Sequence, residues 1–239
     1  MSKRRRIDDP ETVPSSASQP TAETTGVQLV EPKLREIPKL VLVDMQKDDP
    51  HSVIQAMNLL VDKTLDSDQG KLFQAVAVPK ILDAMQKWQH HEGLQREACY
   101  CIRRICKHDS DLSELMASLG GLEALVNAMI VFPTSVRIHE YALGAIRYVA
   151  AEDSPGLVRF MKGLKGIDLT LRAMESFQDN AGVQRACCRL FCSLACGPVS
   201  KKALAEAGVI SAVATCMEEN WENMSVMKAA GEFMDIMSP

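Results

Sequence analysis

The sequence is poor in aromatic residues and has no marked excess of either charge. Aromatic side chains make up 5% of the 239 residues, and the formal net charge is −4. The strongly basic balance that favours nucleic acids is missing, so a nucleic-acid partner is not expected. No apolar run reaches the roughly 20 residues with which a helix crosses a bilayer, so a membrane partner is not expected either.

Signatures of catalysis are missing as well. The sequence contains no Gly-rich phosphate-binding loop, no paired-carboxylate signature and no Ser or Cys nucleophile elbow. The adjacent His90 and His91 lie in a polar segment, where a loop explains them better than acid–base catalysis. We predict that the protein is not an enzyme and that it has no cofactor.

The first 33 residues differ in composition from the rest. They are rich in Ser, Thr, Pro, Glu and Gln and contain no aromatic residue, so they cannot bury enough apolar surface to offset the entropy of ordering. We predict a disordered tail over residues 1–33. Its basic cluster, Lys3 to Arg6, is either a nuclear localisation signal or a short solubilising start.

The sequence contains eight cysteines, and no apolar segment follows Arg6 as it would in a secretory signal. We therefore predict reduced thiols and a cytoplasmic or nuclear location.

The sequence does contain one unit repeated five times. Methionines recur at steps of 40, 44, 45 and 43 residues, and a column of small residues and a column of large residues recur at similar steps. The columns are Met45, Met85, Met129, Met174 and Met217; Ala56, Ala98, Ala142, Cys187 and Ala229; and Leu60, Ile102, Ile146, Phe191 and Phe233. A fixed period in the low forties predicts a stacked helical solenoid.

Glycine and proline mark the helix starts within each unit. Pro79, Gly121, Gly166 and Gly208 each stand near the start of a predicted second helix, and Pro198 opens a shorter linking helix. Glycine tolerates the positive φ of a tight bend, whereas proline suits a first helical turn because it needs no amide donor there.

The longest predicted helix of each unit follows a polar loop. Ala98, Ile102 and Ile105 lie at i, i+4 and i+7, which is one face of a helix, and the later units repeat this pattern. The small first residue lets neighbouring helices approach closely, and the large residues fill the space between units. With the shorter linking helix, each unit contains three helices, although the first unit shows only a reduced linking helix around Pro32 to Ile37.

This unit resembles the armadillo repeat. Leu94–Cys106 and Val183–Ala195 follow the family's third-helix pattern, and Ala205–Ile210 resembles its junction between the first and second helices. The resemblance implies an all-α, right-handed solenoid of about five armadillo-like repeats over residues 34–239. The repeats are expected at about 34–76, 77–119, 120–164, 165–207 and 208–239.

In the armadillo family the third helices line a concave groove that holds an extended peptide, and the resemblance implies the same here. Importin-like members hold the peptide with a ladder of Asn and nearby Trp residues. Both ladders are absent: the Asn column reads Asp62, Arg104, Tyr148, Ser193 and Asp235, and the Trp column reads Asn58, Tyr100, Gly144, Arg189 and Gly231. Recognition of basic import signals by that mechanism is therefore not expected.

Basic residues take the place of these ladders in the middle of the predicted groove. Guanidinium groups bind carboxylates and phosphates through paired hydrogen bonds. Our hypothesis is a non-catalytic adaptor or scaffold that binds an extended acidic or phosphorylated peptide. The candidate groove residues are Arg96, Tyr100, Arg103, Arg104, Arg147, Tyr148, Arg185 and Arg189.

Two alternatives stay open. In the first, the basic face is only a solvated surface paired with Glu92, Glu97 and Glu140, since exposed charges usually contribute little. In the second, the protein is a regulatory or transport-associated subunit that binds through helix edges or through its C-terminal helix. No polar capping repeat follows Met237, so the last helix caps itself, the sequence is cut short, or another chain stacks there by self-association.

The cysteines raise a metal hypothesis. Structural zinc sites usually place paired cysteines on turns, whereas these cysteines lie inside predicted helices, and Cys99 and Cys101 would point about 200° apart. We predict packed core cysteines and no metal site. The two groups are Cys99, Cys101 and Cys106 with His108, and Cys187, Cys188, Cys192 and Cys196.

Overall fold

The computed structural model describes residues 43–64, 68–150 and 155–238. The predicted tail, with the Lys3 to Arg6 cluster, and the reduced linking helix around Pro32 to Ile37 lie outside these ranges. The described part contains helices and no strand. The helices are α1 (Pro50–Thr64), α2 (Asp68–Lys87), α3 (Glu92–His108), α4 (Ser110–Ser118), α5 (Gly121–Val131), α6 (Val136–Val149), α7 (Pro155–Val158), α8 (Gly166–Ser176), α9 (Ala181–Leu194), α10 (Pro198–Glu206), α11 (Val209–Glu219) and α12 (Met224–Met237). A π-helical turn, Arg159–Gly163, follows α7 directly.

Five helices pack side by side in chain order and form what we call the ladder helices: α1, α3, α6, α9 and α12. Each contacts the next one along the chain. Ala98, Ala142 and Cys187, the small residues of three successive repeats, are completely buried. The predicted solenoid is therefore confirmed as an all-α stack whose core runs between repeats.

The predicted large-residue column lies in this core. Leu60, Ile102, Ile146, Phe191 and Phe233 all have no exposed surface. The rings of Phe191 on α9 and Phe233 on α12 lie 6.0 Å apart between their centroids. Burial of one large side chain from each repeat joins the units into a continuous core.

One helix start was predicted wrongly. Pro79 does not open a helix, because α2 runs without interruption from Asp68 to Lys87 with Pro79 inside it. Ala77, Val78 and Ile81, on both sides of the proline, are fully buried, and their packing offsets the cost of the missing backbone hydrogen bond. Pro198, in contrast, occupies the first turn of α10 as predicted.

The role given to Gly121 and Gly166 in the tight bend also needs correction. The positive φ falls one residue earlier, at Gly120 (φ 87°) and Lys165 (φ 50°). Gly166 is instead required for close packing, because a Cβ atom there would overlap the buried ring of Phe160. A Cβ atom on Gly121 would lie 2.5 Å from the side chain of Met116.

Lys165 is the described non-glycine residue with positive φ, and replacing it with glycine is expected to stabilise the protein. A left-handed conformation costs an L-residue about 1–2 kcal/mol, and glycine avoids this cost. Glycine also loses more conformational entropy on folding, which cancels part of the gain. We expect Lys165→Gly to raise the free energy of unfolding by about 1 kcal/mol in urea denaturation. Lys162→Gly, in the neighbouring π-helical turn, should lower it, and a gain in both variants would contradict this account.

Buried amides tie the second helix of a repeat to the third. Gln95 Nε2 donates hydrogen bonds to the carbonyls of Met85 (2.7 Å) and Trp88 (3.1 Å). Gln184, 89 residues later, donates in the same way to the carbonyls of Met174 (2.6 Å) and Phe177 (2.8 Å). Each of these glutamine braces satisfies one carbonyl in the last turn of a helix, that of Met85 or Met174. The carbonyls of Trp88 and Phe177 also accept from the backbone amides of His91 and Asn180.

The repeat between these two carries His139 at the equivalent position, and this makes stability depend on pH. The ring is buried, its Nδ1 lies 3.0 Å from the Ser135 carbonyl, and its centroid lies 4.8 Å from that of Phe177. Burial lowers the pKa of His139 below its usual 6.5, and the hydrogen bond to Ser135 opposes this only in part. The unfolded chain therefore binds more protons, and stability is present above pH 6.5 and is lost as the pH falls through the folded pKa.

We expect His139→Gln, which restores the residue of the flanking repeats, to flatten this dependence. Urea denaturation at pH 7 and at pH 5 should show a larger loss of unfolding free energy for the natural chain than for the variant. Parallel losses would assign the pH dependence to other groups.

Within the described ranges no single helix is long and apolar enough to cross a membrane. The pair α4 and α5 passes by combined length and composition, but its axes are bent by 72°. Met116, Leu122 and Leu125 of this pair are fully buried in the core, so the pair is weak evidence for a span.

Candidate functional site

The eight candidate groove residues lie on three adjacent ladder helices. Arg96, Tyr100, Arg103 and Arg104 are on α3, Arg147 and Tyr148 on α6, and Arg185 and Arg189 on α9. Five of them share the lining of a small cavity of about 40 Å³ between these helices, together with Glu140, Gly144, Gly182 and Ala186. The five are Arg103, Arg147, Tyr148, Arg185 and Arg189.

Polar caps at the loops set where the ladder helices begin. The side chain of His91 accepts a hydrogen bond from the Leu94 amide at the start of α3. Asn180 and Asn223 cap α9 and α12 in the same way. These loop residues therefore fix the starts of α3, α9 and α12, and with them the positions of the arginines on α3 and α9, whereas Ser135 makes no side-chain cap at the start of α6.

Aromatic rings hold the guanidinium groups at the α3 side of the groove. The rings of Tyr100 and Tyr141 lie 5.2 Å apart, and the guanidinium of Arg103 lies 5.7 Å from the centre of the Tyr141 ring. A Cβ atom on Gly144 would lie 2.9 Å from Cδ of Arg103, so the absence of a side chain there gives Arg103 its path across α6. Sequence reasoning missed Tyr141 and the reason for Gly144, although both lie at helical spacing with Tyr148.

The charges at the start of the ladder helices are largely neutralised. Arg96 Nε lies 3.1 Å from Glu97, and Glu140 accepts from Arg137 at 3.0 Å and lies 3.5 Å from Arg185. Arg185 also donates to the hydroxyl of Ser225 at 3.3 Å. For Arg96 and Arg185 the alternative of a paired polar face therefore describes the geometry well, although exposed pairs of this kind contribute little energy.

The alternative of a paired polar face named Glu92, Glu97 and Glu140 as partners of the arginines, and Glu92 differs from the other two. Its Oε1 accepts a hydrogen bond from the hydroxyl of Ser135 at 2.7 Å, across 43 residues of sequence. This bond joins the start of α3 to the start of α6. Glu92 thus aligns two ladder helices, and no arginine ion pair is found for it among the described side chains.

The charges toward the other end of the ladder helices are not neutralised. Lys107, Arg147 and Arg189 form no ion pair with any side chain that the structure describes, and they line a second, larger cavity of about 520 Å³. The guanidinium of Arg147 lies 4.9 Å from the ring centre of Tyr148, which holds it in place. The same cavity is lined by Tyr148, Cys192, Ser193 and Glu232.

Cys192 is a poor nucleophile in this cavity. Burial raises its thiol pKa to about 11, and the carboxylate of Glu232 acts in the same direction, whereas Arg147 and Arg189 oppose it. The thiol therefore stays protonated near neutral pH. Its Sγ lies 3.7 Å from the Ala229 carbonyl, so it serves as a packing contact between α9 and α12.

The other cysteines pack as small apolar residues. Six of the eight are buried, and all eight are free thiols. Burial raises the thiol pKa of Cys99 and of Cys106 to about 12. No group of three potential metal ligands comes together among the described residues. The prediction of core packing is therefore confirmed for five of the seven cysteines in the two groups, while Cys192 and Cys196 are half-buried. Cys216, which lies outside both groups, is also buried.

Comparison with known proteins identifies the fold. No family model matches the sequence. Protein aardvark of Dictyostelium discoideum is 29% identical over 151 residues, which cover 57% of this chain and 20% of that protein. The chain thus spans about a fifth of the length of this relative.

Among solved structures, a designed armadillo repeat protein in complex with the peptide (KR)4 superposes with a TM-score of 0.72 at 15% identity, covering 88% of this chain and 86% of that one. A second engineered protein superposes with a TM-score of 0.71 at 17% identity, covering 83% and 78% of the two chains. At these identities the likeness concerns the fold, and it shows that the chain has the armadillo repeat fold.

Proposed function

We propose that this armadillo-type solenoid is a non-catalytic adaptor or scaffold that binds an extended acidic peptide along its ladder helices. The observation that carries the proposal is the set of cations on α3, α6 and α9 that have no carboxylate partner among the described side chains. These are Arg103, Arg104, Lys107, Arg147 and Arg189.

The sign of the charge selects the ligand. The designed armadillo protein is in complex with the basic peptide (KR)4, whereas the present chain carries arginines on its ladder helices α3, α6 and α9. Arginine binds carboxylates through two parallel hydrogen bonds. An acidic peptide is therefore the complementary ligand for this fold with this surface.

Stacking prepares these arginines for binding. Arg103 lies over Tyr141 and Arg147 over Tyr148, with guanidinium-to-ring distances of 5.7 and 4.9 Å. Side chains already held in one orientation lose less entropy when a ligand binds, which favours affinity. In the repeat column where importin-like proteins carry asparagine, Arg104 and Tyr148 supply donors that could hold peptide carbonyls.

Peptides of opposite charge test the proposal. We expect a labelled (DE)4 octapeptide to bind in fluorescence anisotropy and to lose affinity as salt concentration rises, because the contacts are electrostatic. The octapeptide (KR)4 is the control and should not bind. Equal binding of both peptides, or no binding of (DE)4, would contradict the proposal.

A second candidate function is a regulatory or transport-associated subunit that binds through helix edges. Trp221 and Met224, in and after the loop between α11 and α12, are 68% and 81% exposed. Exposed Trp and Met are enriched at protein interfaces. A partner that binds groove variants normally and Trp221→Ser weakly would favour this function. In either case we propose a cytoplasmic or nuclear location, from the cysteine content and Lys3 to Arg6.

A further inference from the structure

We infer that the larger cavity is a subsite for one phosphorylated side chain of the bound peptide. This inference rests on the proposed function, and it assigns one position of the groove to phosphoserine or phosphothreonine. Its three cations come from three repeats, Lys107 from α3, Arg147 from α6 and Arg189 from α9, and α12 of the next repeat contributes Glu232. Ladder helices from adjacent repeats thus direct three cations to one space.

The charge of the lining fits a dianion better than a carboxylate. Three cations and the single carboxylate of Glu232 leave the lining with a formal charge of +2. A phosphoryl group carries about −1.5 to −2 at neutral pH and offers three strong acceptor oxygens. An Asp or Glu side chain would leave about one positive charge uncompensated in the same space.

The donors of the cavity also suit a phosphoryl group. Arg147 and Arg189 each present a fork of N–H groups, and Lys107 adds an ammonium. Tyr148 contributes a hydroxyl beside Arg147. Ser193 already donates its hydroxyl proton to the Leu190 carbonyl at 2.8 Å, so it is left as an acceptor and the positive side chains carry the recognition.

Helix dipoles do not account for all three cations. Lys107 and Arg147 lie in the last turns of α3 and α6, where a positive charge stabilises the helix terminus. Arg189 lies five residues before the end of α9 at Leu194, which is beyond the last turn. Arg189 also has no carboxylate partner among the described side chains. Arg185, on the same helix, does have one, because it lies near Glu140 of α6.

The test compares three acidic peptides that differ at one residue. Each probe has four Asp or Glu residues on either side of a central serine, phosphoserine or glutamate, and binding is followed by fluorescence anisotropy. We expect the phosphoserine probe to bind about tenfold more tightly than the serine probe, with the glutamate probe between them. Arg189→Gln and Lys107→Gln should each remove most of this difference, whereas Arg172→Gln, on α8, should retain it.

The outcomes separate this inference from the function on which it rests. Equal binding of the serine and phosphoserine probes would overturn the phosphate subsite and leave the acidic groove in place. Failure of all three probes would overturn the groove itself. A phosphoserine advantage that survives both Arg189→Gln and Lys107→Gln in folded variants would overturn the location. Displacement of the phosphoserine probe by inorganic phosphate at the same concentration that the unlabelled phosphoserine peptide needs would show that a free anion, not a peptide, is the ligand.

Discussion

Phe191→Ala is expected to lower the free energy of unfolding by about 3–5 kcal/mol, the usual cost of removing a buried aromatic ring. Phe191 is fully buried on α9, and its ring meets that of Phe233 on α12. The alanine variant loses the transfer energy of the ring and leaves a cavity between two repeats. Urea denaturation followed by circular dichroism measures the change.

The effect of Phe191→Ala is expected to be local as well as large. In a stacked solenoid each repeat contacts only its neighbours, so weakening one interface allows the segments on its two sides to unfold separately. We expect a broader or two-step transition in which α11 and α12 melt first. Ile130→Ala, at a side chain that is 61% exposed, is the control and should change stability by less than about 0.5 kcal/mol. A loss below about 1 kcal/mol for Phe191→Ala would argue against a continuous core at this interface.

Reversing two charges in the groove should remove most of the affinity for an acidic peptide. Arg103 and Arg147 line the same cavity from α3 and α6. Arg103→Glu combined with Arg147→Glu replaces two attractions with two repulsions. We expect the affinity for (DE)4 to fall by at least about 30-fold, since the loss of one well-placed charge partner costs 2 kcal/mol or more. Fluorescence anisotropy at fixed salt concentration measures this change.

A matched pair of substitutions separates local contacts from net charge. Arg172→Glu combined with Lys202→Glu changes the net charge by the same amount at exposed positions on α8 and α10. This control should change affinity only a few-fold at physiological salt, because the two side chains are in the lining of neither cavity and salt screens exposed charges. Equal losses in both double variants would mean that overall charge, not the groove, governs binding.

The architecture could be predicted because it repeats. The Met, small-residue and large-residue columns each recur in every unit, so an error in one unit is corrected by the others. The burial of Ala98, Ala142 and Cys187 followed from helical spacing alone. Pro79 was misread because proline is common in a first helical turn, whereas the burial that holds α2 together around it depends on contacts that local sequence does not show.

The candidate site could be predicted only in part. Helical spacing placed the arginines on the correct helices, but it does not say which of them are neutralised. Glu140 lies near Arg185, 45 residues later in the sequence, and Glu92 turns away to Ser135. Such partners depend on how neighbouring repeats are aligned. The need for glycine at position 144 likewise could not be predicted, because it depends on the contact of Arg103 with α6.

The glutamine braces give the molecule a modular construction. Gln95 and Gln184 each close their hydrogen bonds inside a single pair of consecutive helices, so the α2–α3 and α8–α9 hairpins each contain their own internal fastening. A hairpin whose two helices are joined by their own hydrogen bonds can be moved as a unit to another position in the stack, provided that the apolar faces toward its neighbours are kept. New groove specificities could then be assembled by shuffling whole hairpins rather than by redesigning single side chains.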